Sequence, residues 1–327
     1  NDAPTDLSLS GNSVAENAAN GTVVGTITGT DPDTGDTKTY SFTDSAGGRF
    51  AIQSSTGVIT VADGSLLDYE SATSHNVTVR VTDSGGLTYD ETFTITLTNV
   101  NEAPTGADAT ITLAEDTTHT LTTANFGFSD VDAGDSLSAV RIDTVPSAGT
   151  LTLAGGAVTA GQVIAVADIT AGNLVFTPAA DATGPGYASL AFSVRDSNGT
   201  YDAAPNTLTF DVTPVNDAPT LSANTGTTTA EGGTDTITAT ELAVTDVDNS
   251  AAQLTYSIGT GPTYGRLELT TAPGISATTF TQADIAANRL VYVHEGSEST
   301  ADTFTFTVSD GAGGLLGATS VTLTITS

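Results

Sequence analysis

Apolar and polar residues alternate strictly in a series of short runs: Val77, Val79, Val81; Phe93, Ile95, Leu97; Leu190, Phe192, Val194; Leu208, Phe210, Val212; Phe304, Phe306, Val308; and Val321, Leu323, Ile325. A period of two puts successive side chains on opposite faces of an extended chain, so each run predicts a half-buried strand. The runs come in pairs. Between the members of each pair lies a turn-rich segment, VTDSGG at Asp83, VRDSNG at Asp196 and VSDGAG at Asp310, which predicts a closing antiparallel hairpin three times over. Further short strands punctuated by Gly, Asn and Asp read as β-sandwiches. Helix is nearly absent from the pattern. Two short helical turns are predicted, over Val166 to Asn173 and Thr281 to Asn288, each leading into a strand, NLVFTP or RLVYVH.

The pattern repeats on a larger scale. A glutamate is followed fifteen residues later by an Asp-x-Asp pair at Glu16 with Asp31 and Asp33, at Glu115 with Asp130 and Asp132, and at Glu231 with Asp246 and Asp248. Upstream of each glutamate stands an Asn-acid-Ala-Pro linker, Asn1 to Pro4, Asn101 to Pro104 and Asn216 to Pro219. These repeats predict three tandem domains over residues 1–103, 104–218 and 219–327. Gly149, Leu151, Asp168, Leu174 and Phe176 recur 116 positions later as Gly265, Leu267, Asp284, Leu290 and Tyr292, so the second and third domains are copies of one subtype. The first, with LLDYES at Leu66 to Ser71, is a related but distinct one.

The run GTVVGTITG, between Glu16 and Asp31, spans about 30 Å if extended at roughly 3.3 Å per residue. Glutamate and Asp-x-Asp are therefore expected at opposite ends of a domain, with the glutamate of one domain facing the Asp-x-Asp of the next. At the first linker this brings Glu16, Asn101, Glu102, Asp130 and Asp132 together. Four carboxylates within about 5 Å form six repelling pairs, each worth roughly 3 kcal/mol at an effective dielectric near 20. Seven basic residues, with Lys38 the sole lysine, do not neutralise them. Clustered carboxylate and carbonyl oxygens without Cys or His select a hard divalent cation, and calcium (Ca2+) is the expected cofactor.

Composition narrows the rest. A formal net charge of −31 excludes nucleic acid and anionic membrane as partners and disfavours sulfated glycans. Cysteine, methionine and tryptophan are absent, so no disulfide stabilises the fold and calcium takes over that role. No run approaches the roughly eighteen apolar residues of a membrane span, and no signal peptide opens the chain; with its start in mid-linker, it is expected to be a segment of something longer. Abundant Thr, Ser, Gly, Ala and Val with 6% aromatic residues fits a β-rich protein of the bacterial exterior.

No catalytic constellation emerges, and the chain is not expected to be an enzyme. His75, His119 and His294 lie singly in three domains; HEGSE at His294 has Glu298 where a zinc protease needs its second histidine. Tyr187, Tyr201, Tyr256 and Tyr264 are the residues from which a sugar-stacking platform would have to be built, although strand packing is the expected role for them. Arg266 and Tyr264 in TYGRLEL are the leading candidates for gripping a ligand.

The first domain, with AEN (Ala15 to Asn17), DPD (Asp31 to Asp33), LDYE (Leu67 to Glu70), Asp83 and NVNEAP, resembles a bacterial cadherin repeat. The second and third, with FTPAADATGPGYASLAFSVRDSNG and YVHEGSESTADTFTFTVSDG, resemble the cadherin-like repeats named after the chondroitin sulfate proteoglycan. The resemblance covers nearly the whole chain and implies an all-β fold of three cadherin-like Greek-key β-sandwiches in an elongated array. It also implies calcium at each linker. Its ligands at the first would be Glu16, Asp68, Glu70, Asn101, Glu102, Asp130, Asp132 and Asp196, and at the second Glu115, Asn216, Asp217, Asp246, Asp248 and Asp310. Domain two has no LDYE match; neither Asp116 nor Asp181, the substitutes, is fixed by a motif, so weaker occupancy is expected there. Asp31, Asp33 and Asp83 at one end and Glu231 at the other are expected to form incomplete sites. The expected function is a calcium-rigidified, monomeric stalk segment of a large secreted bacterial adhesin at the cell surface, its main partners being neighbouring domains. The rival expectation is a module that binds glycan or protein, or itself, in adhesion or biofilm formation.

Overall fold

The computed structural model describes residues 1–327 and is all-β, with three cadherin-like sandwiches in tandem. The chain forms two compact units, residues 1–111, 118–177 and 188–210 in the first and residues 112–117, 178–187 and 211–327 in the second.

In the first unit, the first sandwich pairs a sheet ordered Asp6–Leu9, Val23–Thr30, Val58–Val61, Phe50–Ile52 with one ordered Ser13–Ala15, Thr88–Thr98, Ser74–Thr82, Thr39–Asp44. The predicted hairpin is present, Ser74 lying opposite Thr96 and Thr82 opposite Thr88. Between Leu9 and Ser13 the chain changes sheet, and Ser13–Ala15 then runs parallel to Thr96–Thr98. Gly11 and Gly25 permit the change, since a Cβ on Gly25 would collide with the backbone of Gly11. Val77, Val79, Val81, Ile95 and Leu97 point inward against Ile27, Ile59 and Leu67, as the period of two predicted. Removing this much apolar surface from water is the main stabilising term for a domain without disulfides.

The second sandwich places Gln162–Ala165, Ala139–Thr144, Gly184–Arg195, Asn206–Thr213 and Ala109–Ala114 in one sheet and His119–Thr120, Leu174–Thr177, Thr150–Leu153 and Gly156–Ala157 in the other. Its core aromatics interlock: Phe176 stacks on Phe210 with centroids 3.8 Å apart, and Phe126 meets Phe192 edge-on at 5.0 Å.

The second unit repeats the plan. Leu315–Thr326 pairs with Ala301–Ser309 and runs parallel to Thr228–Ala230 along one edge, while Thr234–Thr236, Leu290–His294 and Gly265–Leu269 form a facing sheet. Buried Asp302 accepts the N–H groups of Thr263 and Tyr264 and the Tyr292 hydroxyl, at 2.8, 2.9 and 2.8 Å. Burial pushes its pKa up, but those donors outweigh burial and hold it below the ordinary carboxylate value.

The expected helical turns are five-residue helices, Val166–Thr170 and Gln282–Ala286, the second closed by a capping box between Thr281 and Asp284. No helix is long and apolar enough to cross a membrane. Tyr256 lies fully in the core, stacked on Phe280, and so contributes no sugar platform. His294 is 2% exposed, its Nδ1 accepting the N–H groups of Gly232 and Gly296.

Candidate cation sites at the linkers

Each repeated glutamate is followed by a residue in left-handed conformation: Asn17 at φ 53°, Asp116 at φ 58° and Gly232 at φ 69°. Asn, Asp and Gly are the types that tolerate it. At Glu16 and Glu115 the carboxylate lies back against the linker. Glu16, 3% exposed, donates its N–H to Thr98 O and accepts Val100 N–H at 2.9 Å and Tyr69 N–H at 2.8 Å. Glu115 repeats the arrangement with Thr213 O and with Val215 N–H at 2.7 Å.

The Asp-x-Asp end grips the linker that precedes it, in the same way three times. Linker asparagine Nδ2 donates to the turn aspartate: Asn1 to Asp83 at 2.9 Å, Asn101 to Asp196 at 3.0 Å, Asn216 to Asp310 at 2.6 Å. The next N–H donates to the second aspartate of the pair: Asp2 to Asp33 at 2.6 Å, Glu102 to Asp132 and Asp217 to Asp248, both at 2.8 Å. Within each pair the second N–H bonds the first aspartate's Oδ1, from Asp33 to Asp31, Asp132 to Asp130 and Asp248 to Asp246. Glu16 and Asp132 thus meet on one linker, as the spacing argument required.

Two acidic triads flank the first linker. One carboxylate oxygen each from Glu16, Glu70 and Glu102 lie within 4.8 Å of one another, and the same holds for Asp130, Asp132 and Asp135. The sequence expectation of a single group of acids is therefore replaced by two, joined through Glu102. Asp68 lines the same cavity as Glu16, Glu70 and Glu102, but its oxygens are taken by Ser71 N–H and Oγ, and these bonds lower its pKa. Asp135 is an addition to the expected set, and Asn99 opens the NVNEAP linker. Asp135 accepts Asn198 Nδ2, and Asn99 Nδ2 bonds Asp132 at 2.7 Å. The signal for Asp135 was an acid five residues after the first aspartate in DPDTGD and DVDAGD, absent from DVDNS.

At the second linker the triad is Asp116, Asp181 and Asp217. Asp116 and Asp181, which no motif placed, are thus brought to the linker acid. Glu115 lies outside this triad, although its charge acts on Asp217. Asn216, Asp246, Asp248 and Asp310 hold the positions just described. Gly314 permits close packing there, since a Cβ on it would collide with the Asp310 carboxylate and the Asp217 carbonyl.

The electrostatics divide these acids into two kinds. Asp310 is held below the ordinary carboxylate value by the Asn216 amide and the N–H groups of residues 312 to 314. Asp196 is lowered too: burial opposes ionisation, but Asn101 and the Thr200 N–H outweigh it. Glu102 and Asp217 go the other way. Burial raises both, and neighbouring negative charges add to it, Glu16, Asp132 and Glu70 around Glu102, and Asp116, Asp181 and Asp248 around Asp217. Asp31 Oδ2, Asp130 Oδ2, Asp246 Oδ2, Glu102 Oε2 and Asp217 Oδ2 are buried without any hydrogen-bond partner. The four ion pairs, Arg80–Asp90, Arg141–Asp143, Arg266–Glu268 and Arg289–Asp284, include none of these acids. Oxygen-only clusters of this kind fit a hard cation.

Residues 12–98 match the model of the Cadherin domain, and residues 219–326 match the Cadherin-like model. The chain carries cadherin and cadherin-like domains. Mouse extracellular matrix organizing protein FRAS1 is 36% identical over 206 residues, 62% of this chain and 5% of that protein. Human chondroitin sulfate proteoglycan 4 is 39% identical over 108 residues, 33% of this chain and 4% of that protein. The chain thus spans about a twentieth of the length of the curated relatives it matches. The crystal structure of mouse cadherin-23 EC22-24 superposes with a TM-score of 0.58 at 21% identity, covering 96% of this chain and 95% of that one, a likeness of fold. The Asp-x-Asp pair of the cadherin domain and those of the two later sandwiches share one hydrogen-bond geometry across subtypes that differ in sequence.

Proposed function

We propose that this chain is a calcium-stiffened stalk segment of a large extracellular adhesion or matrix protein, with domains at 1–103, 104–218 and 219–327. The observation that carries the reading is the set of buried carboxylate oxygens at the linkers that accept no hydrogen bond. Glu16, Asp68, Glu70, Asn101, Glu102, Asp130, Asp132, Asp135 and Asp196 would hold the ion or ions at the first linker. At the second the set is Glu115, Asp116, Asp181, Asn216, Asp217, Asp246, Asp248 and Asp310. A bound cation neutralises acids that otherwise repel, and so disfavours linker geometries that separate them. Extracellular calcium modules typically bind at about 0.1–1 mM, so such sites fill outside the cell and stay empty in the cytosol.

Relatives named as extracellular matrix and proteoglycan proteins support the external setting. The cysteine-free, strongly acidic composition supports a bacterial surface adhesin as the parent. Small-angle scattering in calcium and then in chelator tests the mechanism: chelation is expected to broaden the range of interdomain distances. An unchanged scattering curve refutes stiffening by calcium.

A second reading, a ligand-binding module, is favoured by one groove in the cadherin-like domain. It measures about 290 Å³ and is lined by Pro262, Arg266, Leu267 and Ala277, with Ile275 66% exposed nearby in the chain. Binding on a glycan array that Arg266→Ala abolishes would establish it.

A further inference from the structure

The turn that grips Asn101 closes as its two counterparts do, over four residues, but the chain leaves it differently. In the first domain Asp83 closes directly on Leu87 O, and in the third Asp310 closes on Gly314 O. In the second, Asp196 N–H bonds Thr200 O at 3.0 Å, and the chain then runs to Asn206 before the next strand begins. Those added residues carry Tyr201 back over the sheet, where it bridges to Arg195 while Asp202 N–H bonds Val194 O at 3.1 Å. Two guanidinium groups converge on the ring, Arg141 at 4.6 Å from its centroid and Arg195 at 5.8 Å. Both distances lie inside the roughly 6 Å reach of a cation–π contact.

In a chain with seven basic residues, two are committed to one tyrosine. Both are braced. Arg141 bonds Asp143 through Nε and Ser193 Oγ through Nη2 at 3.2 Å, and the buried Ser193 hydroxyl donates to Asp143 at 2.8 Å. Arg195 Nε donates to Ser138 Oγ at 3.1 Å, and that hydroxyl also bonds the Asp196 carbonyl. The turn is therefore pinned at Asp196 by Ser138 and just beyond Thr200 by Tyr201. Between the pins lie the groups that hold the linker. Asn101 Nδ2 donates to Asp196 Oδ2 and Thr200 Oγ1, each at 3.0 Å, and Asn198 Nδ2 reaches Asn101 Oδ1 and both oxygens of Asp135.

We propose that Tyr201, held by Arg141 and Arg195, is a positioning residue for the first linker: it fixes the Asp196 to Thr200 turn so that Asp196, Asp135 and Asn101 are presented together to a divalent cation. This rests on the calcium reading above. It also assigns Tyr201 a task other than sugar stacking.

The test is calorimetric titration of calcium chloride into the full 327-residue chain, with the second linker silenced by Asp217→Asn and Asp248→Asn. Tyr201→Leu is expected to weaken first-linker binding about three- to tenfold, the range a lost cation–π contact of about 0.7–1.4 kcal/mol would give. Tyr201→Phe keeps the ring and should stay within twofold of the parent. Arg141→Gln, which leaves the tyrosine in place, should weaken binding in the same direction and decides the matter if Tyr201→Leu does not fold. Circular dichroism at the titration temperature must show the variants folded, since a merely structural tyrosine would cost stability and leave the affinity of the folded chain unmoved. Parental affinity in folded Tyr201→Leu or Arg141→Gln overturns the positioning role alone, as does equal weakening by Leu and Phe. Absence of binding by the parent chain overturns the calcium reading and this inference with it.

Discussion

The two linkers reach the same charge arrangement from different positions. At the first, Glu70 of the LDYE turn joins Glu16 and Glu102, and the residue after Glu16, Asn17, donates an amide N–H to Glu102 Oε1 at 3.2 Å. At the second, the residue after Glu115 is itself an acid, Asp116, and Asp181 comes from the segment between two strands of a sandwich without LDYE. A triad made of the linker acid and two carboxylates facing it survives a change of domain subtype, although no single side chain outside the linker keeps its place in it. Within this triad the count of carboxylates stays at three and their source is free, whereas the other triad of the first linker, Asp130, Asp132 and Asp135, has no counterpart at the second. The missing counterpart of Asp135 is in keeping with the expectation of weaker occupancy at the second linker.

Four measurements break or sharpen this comparison. The largest effect is expected from Asp130→Asn with Asp132→Asn. Losing two carboxylates should weaken calcium at the first linker about a hundredfold, at about 1.4 kcal/mol per factor of ten, and leave the second linker untouched in a titration that resolves both. Loss at both linkers would refute their independence. Next, Asp181→Asn should weaken the second linker about tenfold on the same conversion, matching the effect of Glu70→Gln at the first. A silent Asp181→Asn would show that the second triad does not act as the counterpart of the first.

Gly314→Ala comes third. The added methyl displaces either the Asp310 carboxylate or the Asp217 carbonyl, so an affinity loss of several-fold at the second linker is expected. Alanine at Gly85, which meets only the Asn1 side chain and no backbone, should be milder.

The smallest effect is in pH. The pKa values of Glu102 and Asp217 are raised above the ordinary 4.5 and 3.8 in the cation-free fold. The folded chain therefore binds protons more tightly than the unfolded one at these groups. Their contribution to stability falls as pH rises from those ordinary values through the elevated folded ones. A cation competes for the same oxygens, so calcium binding should release protons and weaken on acidification through that range. Calorimetry in buffers of different ionisation enthalpy reads the proton release. Proton uptake on binding would reverse the assignment.

Much of this was legible beforehand, for physical reasons. A strand's period of two survives any tertiary context that keeps one face dry, and five of the six alternating runs are buried throughout; only Phe93 is left partly covered. The acids at fixed spacing were legible because one strand's length sets how far apart they sit. Asp116 and Asp181 were harder, because their meeting depends on two left-handed residues, at φ 58° and 56°, which redirect side chains in a way no periodicity encodes. The parallel edge strands, Ser13–Ala15 and Thr228–Ala230, were missed because a three-residue strand carries too little alternation to read. Asp68 lies in the same cavity as Glu16 and Glu70, but its motif does not show the local contact it makes. Its nearest donor, Ser71, is three residues away and satisfies its carboxylate.

The repeated grip of linker asparagine and linker N–H on the Asp-x-Asp end assigns each connector to the domain that follows it. The natural unit for recombination or recombinant expression therefore starts at the asparagine and not after the proline. A segment cut behind Pro104 or Pro219 would lose the donors that order its own acidic rim, whereas one cut ahead of Asn101 or Asn216 carries its half of the next joint intact.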